Sequence, residues 1–160
     1  ATPLTKLEFL IGKQLIYIGI FSLIYFVLVG IVIFLYDVPL KGSFLLLTII
    51  AFVYIFCTTA IGLFVSSFVK SQIAGLLITF ISTMIPSMTF SGLMTPISSL
   101  DKGAQLMAKF YPTGYFVNTV LGSFTKNLPF LSMIPNLINL IVFYIVIMIF
   151  CNFLLKKQEK

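Results

Sequence analysis

Gly75, Thr79, Thr83, Ser87, Ser91 and Thr95 recur at every fourth position through an otherwise apolar stretch. On a helix, that spacing gathers them into one slowly winding ridge. A serine or threonine hydroxyl becomes a nucleophile only when a general base removes its proton. The chain has no histidine, and its four carboxylates, Glu8, Asp37, Asp101 and Glu159, all lie outside the apolar runs. The ridge has no base to work with, so its hydroxyls are left with hydrogen bonding. In lipid, small residues let helix backbones approach closely, and hydroxyls bond across the contact. Two uses follow. The ridge is a packing seam, or it walls a path for a bound molecule, with Phe80, Met84 and Met88 as adaptable apolar contacts beside Thr79, Thr83 and Ser87. Both uses can hold at different depths. Pro86 sits mid-run, removes one backbone hydrogen bond, and predicts a kink that is either plain shape or a hinge.

The other polar residues within apolar surroundings read as structural. Thr58, Gly62 and Ser66 form a shorter small-residue row, read as packing. Pro135 suits the first turn of a helix, and Asn136 and Asn139, three apart, predict a clasp to a neighbouring helix. Such a hydrogen bond contributes about 0.6–2 kcal/mol in a membrane. Cys57 and Cys151 both lie inside apolar runs and read as small buried hydrophobes; no second ligand type lies near either to suggest a metal.

The elements that must carry these residues follow from composition. The 160 residues are 60% hydrophobic and 9% charged, with a mean hydropathy of +1.17. Soluble domains carry roughly a quarter charged residues, so this is an all-α membrane protein. A helix needs about 20 apolar residues to cross the hydrocarbon. The uncharged runs 14–36, 42–69, 71–100 and 127–155 predict transmembrane helices over 13–36, 43–68, 71–94 and 132–155. All ten basic residues are lysines, as an AT-rich bacterial genome would encode. They sit at the ends of the runs, so the net charge of +6 is a membrane-flank signal and not a nucleic-acid one. Lys6, Lys13, Lys70, Lys156, Lys157 and Lys160 fall on one side, against Lys41, Lys102, Lys109 and Lys126 on the other. That bias places both termini of the segment in the cytoplasm and residues 95–130 outside. The missing ionisable groups also argue against coupling to an ion gradient, because such groups carry the coupling ion. If the chain transports something, its energy comes from a partner.

Residues 90–116, FSGLMTPISSLDKGAQLMAKFYPTGYF, do not fit either a helix span or a plain loop. Gly92 and Pro96 end the third span. Ser98 and Ser99 offer an N-cap, with Asp101 completing an approximate capping box. Leu100, Gly103, Met107 and Phe110 then share a face at helical spacing. Tyr111 and Pro112 break that helix, and a second short one runs from Thr113 to about Phe124, carrying Tyr115 and Phe116. Neither piece can cross a bilayer. Non-helical backbone at membrane depth survives only when protein or a water-filled cavity surrounds it. The segment 96–124 is therefore read as packed on the outer ends of the spans, either as a gate or as an interfacial cap. At the other end, residues 1–12 are amphipathic, with Thr2 and Pro3 as a helix start, Leu4, Leu7 and Ile11 sharing a face, and Lys6 and Glu8 polar; they form either an in-plane helix on the cytoplasmic side or a solvated flank of the first span.

Taken in order, these stretches resemble the permease subunits of ABC-2 type exporters. ATPLTKLEFLIGK is similar to the family's stretch after the coupling segment, FVSSFVKSQ to its turn between helices four and five, and PSMTFSGLMTPISSL with YPTGYFVNTVLGSF to its segment between helices five and six. TPISSL and YPT resemble the multidrug-type subgroup, which carries a large domain outside the membrane. The resemblance covers essentially the whole chain. It implies helices three to six of a six-helix subunit with the type V exporter-like transmembrane fold, and the initial Ala1 is expected of a fragment of such a subunit. It implies that Thr2, Pro3, Leu4, Lys6 and Glu8 lie against a nucleotide-binding ATPase that holds ATP and Mg, no cofactor being bound by this chain itself. It further implies that Thr79, Phe80, Thr83, Met84 and Ser87 line the cavity of a permease dimer. Pro86, Gly92, Pro96, Phe110, Tyr111, Pro112, Tyr115 and Phe116 would form hinge and outer gate. Lys102 and Lys109 depart from commoner members. A periplasmic adaptor, membrane lipid and an inner-membrane location belong to the same expectation. The expected function is ATP-driven export of an amphiphile such as a drug or lipid, with no catalysis in this chain. A secondary transporter or channel and a non-transporting scaffold are the rivals.

Overall fold

The computed structural model describes residues 6–69, 71–126 and 129–158, and every regular element among them is helical. Helix α1 (Lys6–Gly30) runs on into a π-type turn at Ile31–Leu35; α2 (Phe44–Ser66) and α3 (Gln72–Phe90) follow. A short 3₁₀ turn (Ile97–Ser99) leads to α4 (Lys102–Phe110) and α5 (Pro112–Leu121), then a second π-type turn (Gly122–Lys126) and α6 (Phe130–Gln158). Four stretches are long and apolar enough to cross a membrane: Leu10–Leu35, Phe44–Ser66, Gln72–Phe90 and Leu131–Leu154. At 1.5 Å per residue, even the 19-residue α3 reaches about 28 Å, close to the ~30 Å of hydrocarbon.

Three helices make the body. Leu10 of α1, Leu63 near the end of α2 and Cys151 near the end of α6 pack together. Ile18 and Tyr25 of α1 meet Ala51 and Ile55 of α2 further along. Leu46, Ile50 and Cys57 of α2 then meet Met133 and Leu140 of α6. The order of these clusters shows α2 running antiparallel to α1 and parallel to α6, so the start of α1 and the ends of α2 and α6 lie at the same end of the bundle. Helix α2 is the centre: Leu46, Leu47, Ile50, Ala51, Cys57 and Ala60 are all buried. No residue of α3 is buried, so it is the peripheral helix.

One polar side chain ties the three central helices. Gln14 is only 1% exposed. Its amide donates to the Phe56 carbonyl (3.1 Å) and to Thr59 Oγ1 (3.0 Å), and its carbonyl accepts from Tyr144 Oη (3.2 Å). Nothing in the sequence reading singled out Gln14, because one amide at the edge of an apolar run carries no spacing signal. Both cysteines are buried free thiols: Cys57 Sγ lies 3.2 Å from the Leu140 carbonyl and Cys151 Sγ 3.9 Å from that of Ala60.

Several local expectations are corrected. Helix α1 is continuous from Lys6, so residues 6–12 extend the first helix and do not form a separate in-plane element; nothing between Lys6 and Lys13 breaks a helix. Thr2, Pro3, Leu4 and Lys70 lie outside the described residues. The cap of α4 is Asp101, whose carboxylate accepts from the backbone of Gly103 and Ala104; Ser99 instead bonds back to the Pro96 carbonyl. A carboxylate at a helix N-terminus also gains from the helix dipole, which a serine hydroxyl does not.

The α1–α2 loop is latched to the turn after α5. Lys41 N and Gly42 N both donate to the Ser123 carbonyl, at 3.1 and 2.8 Å. A Cβ on Gly42 would stand 2.9 Å from Ser123 Cα, so only glycine permits this approach. Replacing Gly42 with Ala is expected to open the latch and lower the thermal midpoint of the purified protein by several degrees. Gln14→Leu, which keeps the volume and deletes three bonds, is expected to cost about 1–2 kcal/mol, given that interhelical bonds in membranes average ~0.6 kcal/mol each. Unfolding in a denaturing detergent series measures it, and an unchanged transition would contradict the clasp.

Candidate functional site: a groove between α2 and α3 and the hairpin that closes it

The two small-residue rows face each other. On α2 the row is Thr58, Gly62 and Ser66; on α3 it is Gly75, Thr79, Thr83 and Ser87. Small side chains on both walls leave space where larger ones would interdigitate, and a groove results. Its wider part, about 650 Å³, is lined by Gly62, Ser66, Gln72, Gly75 and Thr79, with Tyr17 of α1 at its edge. Its narrower part, about 310 Å³, is lined by Tyr54, Thr58, Thr79, Thr83, Met84 and Ser87. Thr79 lines both, so the two parts adjoin along α3.

Tyr111, Pro112 and Thr113 close the narrow end. They form the tip of a hairpin: α4 descends beside α3, the chain turns at Tyr111–Pro112, and α5 returns. Pro112 opens α5 at a position where its missing N–H costs nothing. The depth of the tip follows from its partners. Tyr111 Oη donates to the carbonyls of Ser82 (2.9 Å) and Thr83 (3.2 Å). Ser82 lies eight residues before Phe90, the last residue of α3, so the tip sits about 12 Å below that end. Thr113 Oγ1 is 3.1 Å from Tyr54 Oη and 3.0 Å from Ser87 Oγ, so it bridges α2 and α3 through α5. The Phe116 and Tyr54 rings stack, with centroids 4.4 Å apart and planes 2° from parallel. Such a pair adds about 0.5–1.5 kcal/mol beyond area burial. Asn136 of α6 donates to Thr119 Oγ1 at 3.3 Å and fixes the far side of α5.

Among the described residues, the groove walls carry no carboxylate, ammonium or thiol. Its hydroxyls are also partly committed. Thr58, Ser66 and Thr83 donate to the Ile55, Leu63 and Thr79 carbonyls of their own helices. Those three offer lone pairs to a guest while their protons stay with the backbone. The chemistry available is neutral hydrogen bonding and apolar contact.

Of the cavity residues expected from sequence, Thr79, Thr83, Met84 and Ser87 line the groove. Phe80 does not: one residue past Thr79 it is turned about 100° around the helix, and it is 57% exposed. Of the gate set, Tyr111 and Pro112 line the narrow end, Phe116 stacks against its wall, and Tyr115 donates to the Lys109 carbonyl. Phe110 points outward, 73% exposed. Pro96 starts the 3₁₀ turn. Gly92, at φ +81°, makes the left-handed turn that follows α3. Pro86 lies within α3, and Glu8 is exposed near the start of α1. Asn136 and Asn139 do not act together: Asn139 faces outward. The sequence reading missed Tyr54 and Thr113, which hold the hairpin in place. Thr113 was legible only as a helix start, and Tyr54 as one aromatic among many.

The fold and the groove define a multi-pass helical membrane protein in which a short helical hairpin dips between spans. The family described as ABC-2 family transporter protein matches residues 1–151, and the chain belongs to that family. It is 27% identical over 132 residues to a protein of Escherichia coli strain K12 named probable multidrug ABC transporter permease YbhS, and equally so to the YbhS of Escherichia coli O157:H7. Each match covers 81% of this chain and 34% of the relative, so the chain spans about a third of the length of the curated relatives it matches. No solved structure matches it.

Thr113→Val keeps the shape and deletes both bridging bonds. It is expected to destabilise the hairpin by about 1–2 kcal/mol and to speed backbone hydrogen exchange across 111–117, while Thr113→Ser stays near wild type. Mass-spectrometric exchange reads both, and protection unchanged in the valine variant would remove Thr113 as the bridge.

Proposed function

We propose that this chain is the membrane-spanning part of an ATP-driven exporter permease that moves an amphiphile, such as a drug or lipid, through the α2–α3 groove. The observation that carries this reading is the groove itself: hydroxyl and apolar walls, no carboxylate or ammonium among the described lining residues, and one end closed by a hairpin tip held in place by hydrogen bonds and one ring stack. Such walls suit a guest with a large apolar body and a few polar groups. Walls without a carboxylate or ammonium among the described residues favour a partner as the energy source over a coupling ion; in this reading the partner is a nucleotide-binding ATPase that carries the ATP and Mg. The permease name of the relatives and the family membership support the same assignment.

In this reading the start of α1 and the end of α6 face the cytoplasm of an inner membrane, and the hairpin end faces outward, where a periplasmic adaptor would meet it. Glu8 and Lys6, at the start of α1, meet the ATPase in this reading. A second permease copy packs on α3, whose exposed Ile73, Leu77, Phe80 and Ile81 offer an apolar face. Phe80 then contributes to the cavity between copies, while the Thr79–Thr83–Ser87 row lines the groove within each. ATP binding draws the cytoplasmic ends together, rigid-body tilting carries α3 with them, and the guest is pushed past the hairpin.

The test uses inverted vesicles holding the full-length permease with its ATPase and a panel of fluorescent amphiphiles. Uptake is expected to require ATP and to persist with an uncoupler; uptake that survives ATP depletion and stops with the uncoupler would assign a secondary transporter instead. Thr79→Leu with Thr83→Leu fills the groove and is expected to reduce uptake at least tenfold at unchanged membrane level. Pro86→Ala is expected to lower transport far more than co-purification with the ATPase. Equal loss of both would count against a hinge.

A further inference from the structure

Pro86 leaves a specific gap in α3. In a regular helix its N–H would bond the carbonyl four residues back, that of Ser82. Proline has no N–H to give, and its ring pushes that carbonyl aside. Bulk water is not at hand within the hydrocarbon, so the vacant place falls to a neighbouring helix, a hydroxyl side chain or an ordered water. The structure shows what takes it: Tyr111 Oη, from the tip of the hairpin, donates to Ser82 O at 2.9 Å and to Thr83 O at 3.2 Å. The contact joins residues 29 and 28 positions apart in the chain, so it is tertiary and not a local cap.

We infer that Tyr111 is the donor that completes the proline-broken turn of α3, so that withdrawal of the hairpin tip and bending of α3 at Pro86 are one coupled event. When the tip leaves, Ser82 O loses its partner at a depth where bulk water is not at hand, and α3 must bend or twist to find another. When α3 bends first, the carbonyl swings away from Tyr111 and the tip loses its deepest anchor. Thr113 reinforces the same contact, because its bond to Ser87 lies one residue past Pro86 on the same wall. The broken turn and the plug therefore hold each other in the closed state. Tyr111 is a positioning residue in this arrangement, acting through the α3 backbone and not through a guest.

The inference rests on reading the hairpin as an outer gate, and its test needs neither substrate nor ATP. A reporter cysteine is placed at Thr58, on the groove wall behind the tip. A membrane-impermeant thiol reagent is applied from the hairpin side to the full-length permease in its membrane, and the same chain without the reporter gives the background from buried Cys57 and Cys151. Tyr111→Phe, which deletes only the hydroxyl, is expected to speed labelling at least fivefold when Pro86 is present. In a Pro86→Ala chain, where the restored N–H bonds Ser82 itself, the same change is expected to alter labelling less than twofold. Equal acceleration in both backgrounds would show that Tyr111 acts without Pro86, and no acceleration in the proline background would show that the bond does not hold the tip; either overturns the inference. If Tyr111→Phe fails to accumulate in the membrane, recovery on adding Pro86→Ala supports the coupling and no recovery overturns it. Loss of export with the labelling pattern intact would fault the transport reading alone.

Discussion

Pro86 cannot donate a hydrogen bond, and at its depth in α3 protein makes up the loss. That constraint shapes the region around the groove. The tip residue Tyr111 stands between α4 and α5, outside regular helix, so the chain turn there also needs protein around it. The two deficits meet. The tip supplies a phenolic donor to the carbonyls of Ser82 and Thr83, and α3 with α2 supplies the hydroxyls and the aromatic ring that bury the tip. Each irregularity supplies a partner that the other lacks, and together they fix one another's position.

The bundle divides by how its parts are held. Helices α1, α2 and α6 share three buried apolar clusters and the Gln14 clasp. Without a hydrophobic driving force between helices in lipid, such contacts rest on dense packing and on the polar bonds that leaving would strand. Helix α3 has no buried residue and faces α2 across open space lined by small side chains. Its attachment runs mainly through the hairpin. A few hydrogen bonds of about 1 kcal/mol each are easily broken one at a time, whereas a packed cluster is not. The element suited to move is therefore α3, with the hairpin as its restraint and the three-helix body as its frame. The backbone latch from Lys41 and Gly42 to Ser123 anchors the returning limb of the hairpin to that frame, so motion is concentrated at the tip.

Much of this was legible before any coordinates. The α3 ridge was visible as a period of four, and Pro86 as a helix defect, because both are properties of one helix. The α2 row of Thr58, Gly62 and Ser66 was equally visible but was read as close packing; it lines the groove, because a row of small residues looks the same whether the facing helix fills the space or stands off from it. Phe80 lies one 100° helical step from the groove-lining Thr79 and is exposed on the single chain, and Asn139, expected to share a clasp with Asn136, is exposed as well. Ser98 was preferred as a cap over Asp101 by pattern, and the carboxylate took the role. Gln14, Tyr54 and Thr113 gave no periodic signal at all, since each acts through a partner 42 to 130 residues away or on another helix.

By itself the sequence determined that the chain crosses a membrane as four apolar helices, that a short polar-punctuated segment between the last two can neither cross nor float free, and that the apolar runs hold no carboxylate, lysine or histidine. These depend on composition and on local periodicity, which are properties of a segment. Only the tertiary structure decided that α3 stands away from α2 to leave a groove, that the hairpin tip reaches two turns down to meet the carbonyl freed by Pro86, and that Gln14 fastens the frame. Those depend on which groups are left without partners once the helices are laid side by side, and that need is met here by residues far off in the chain.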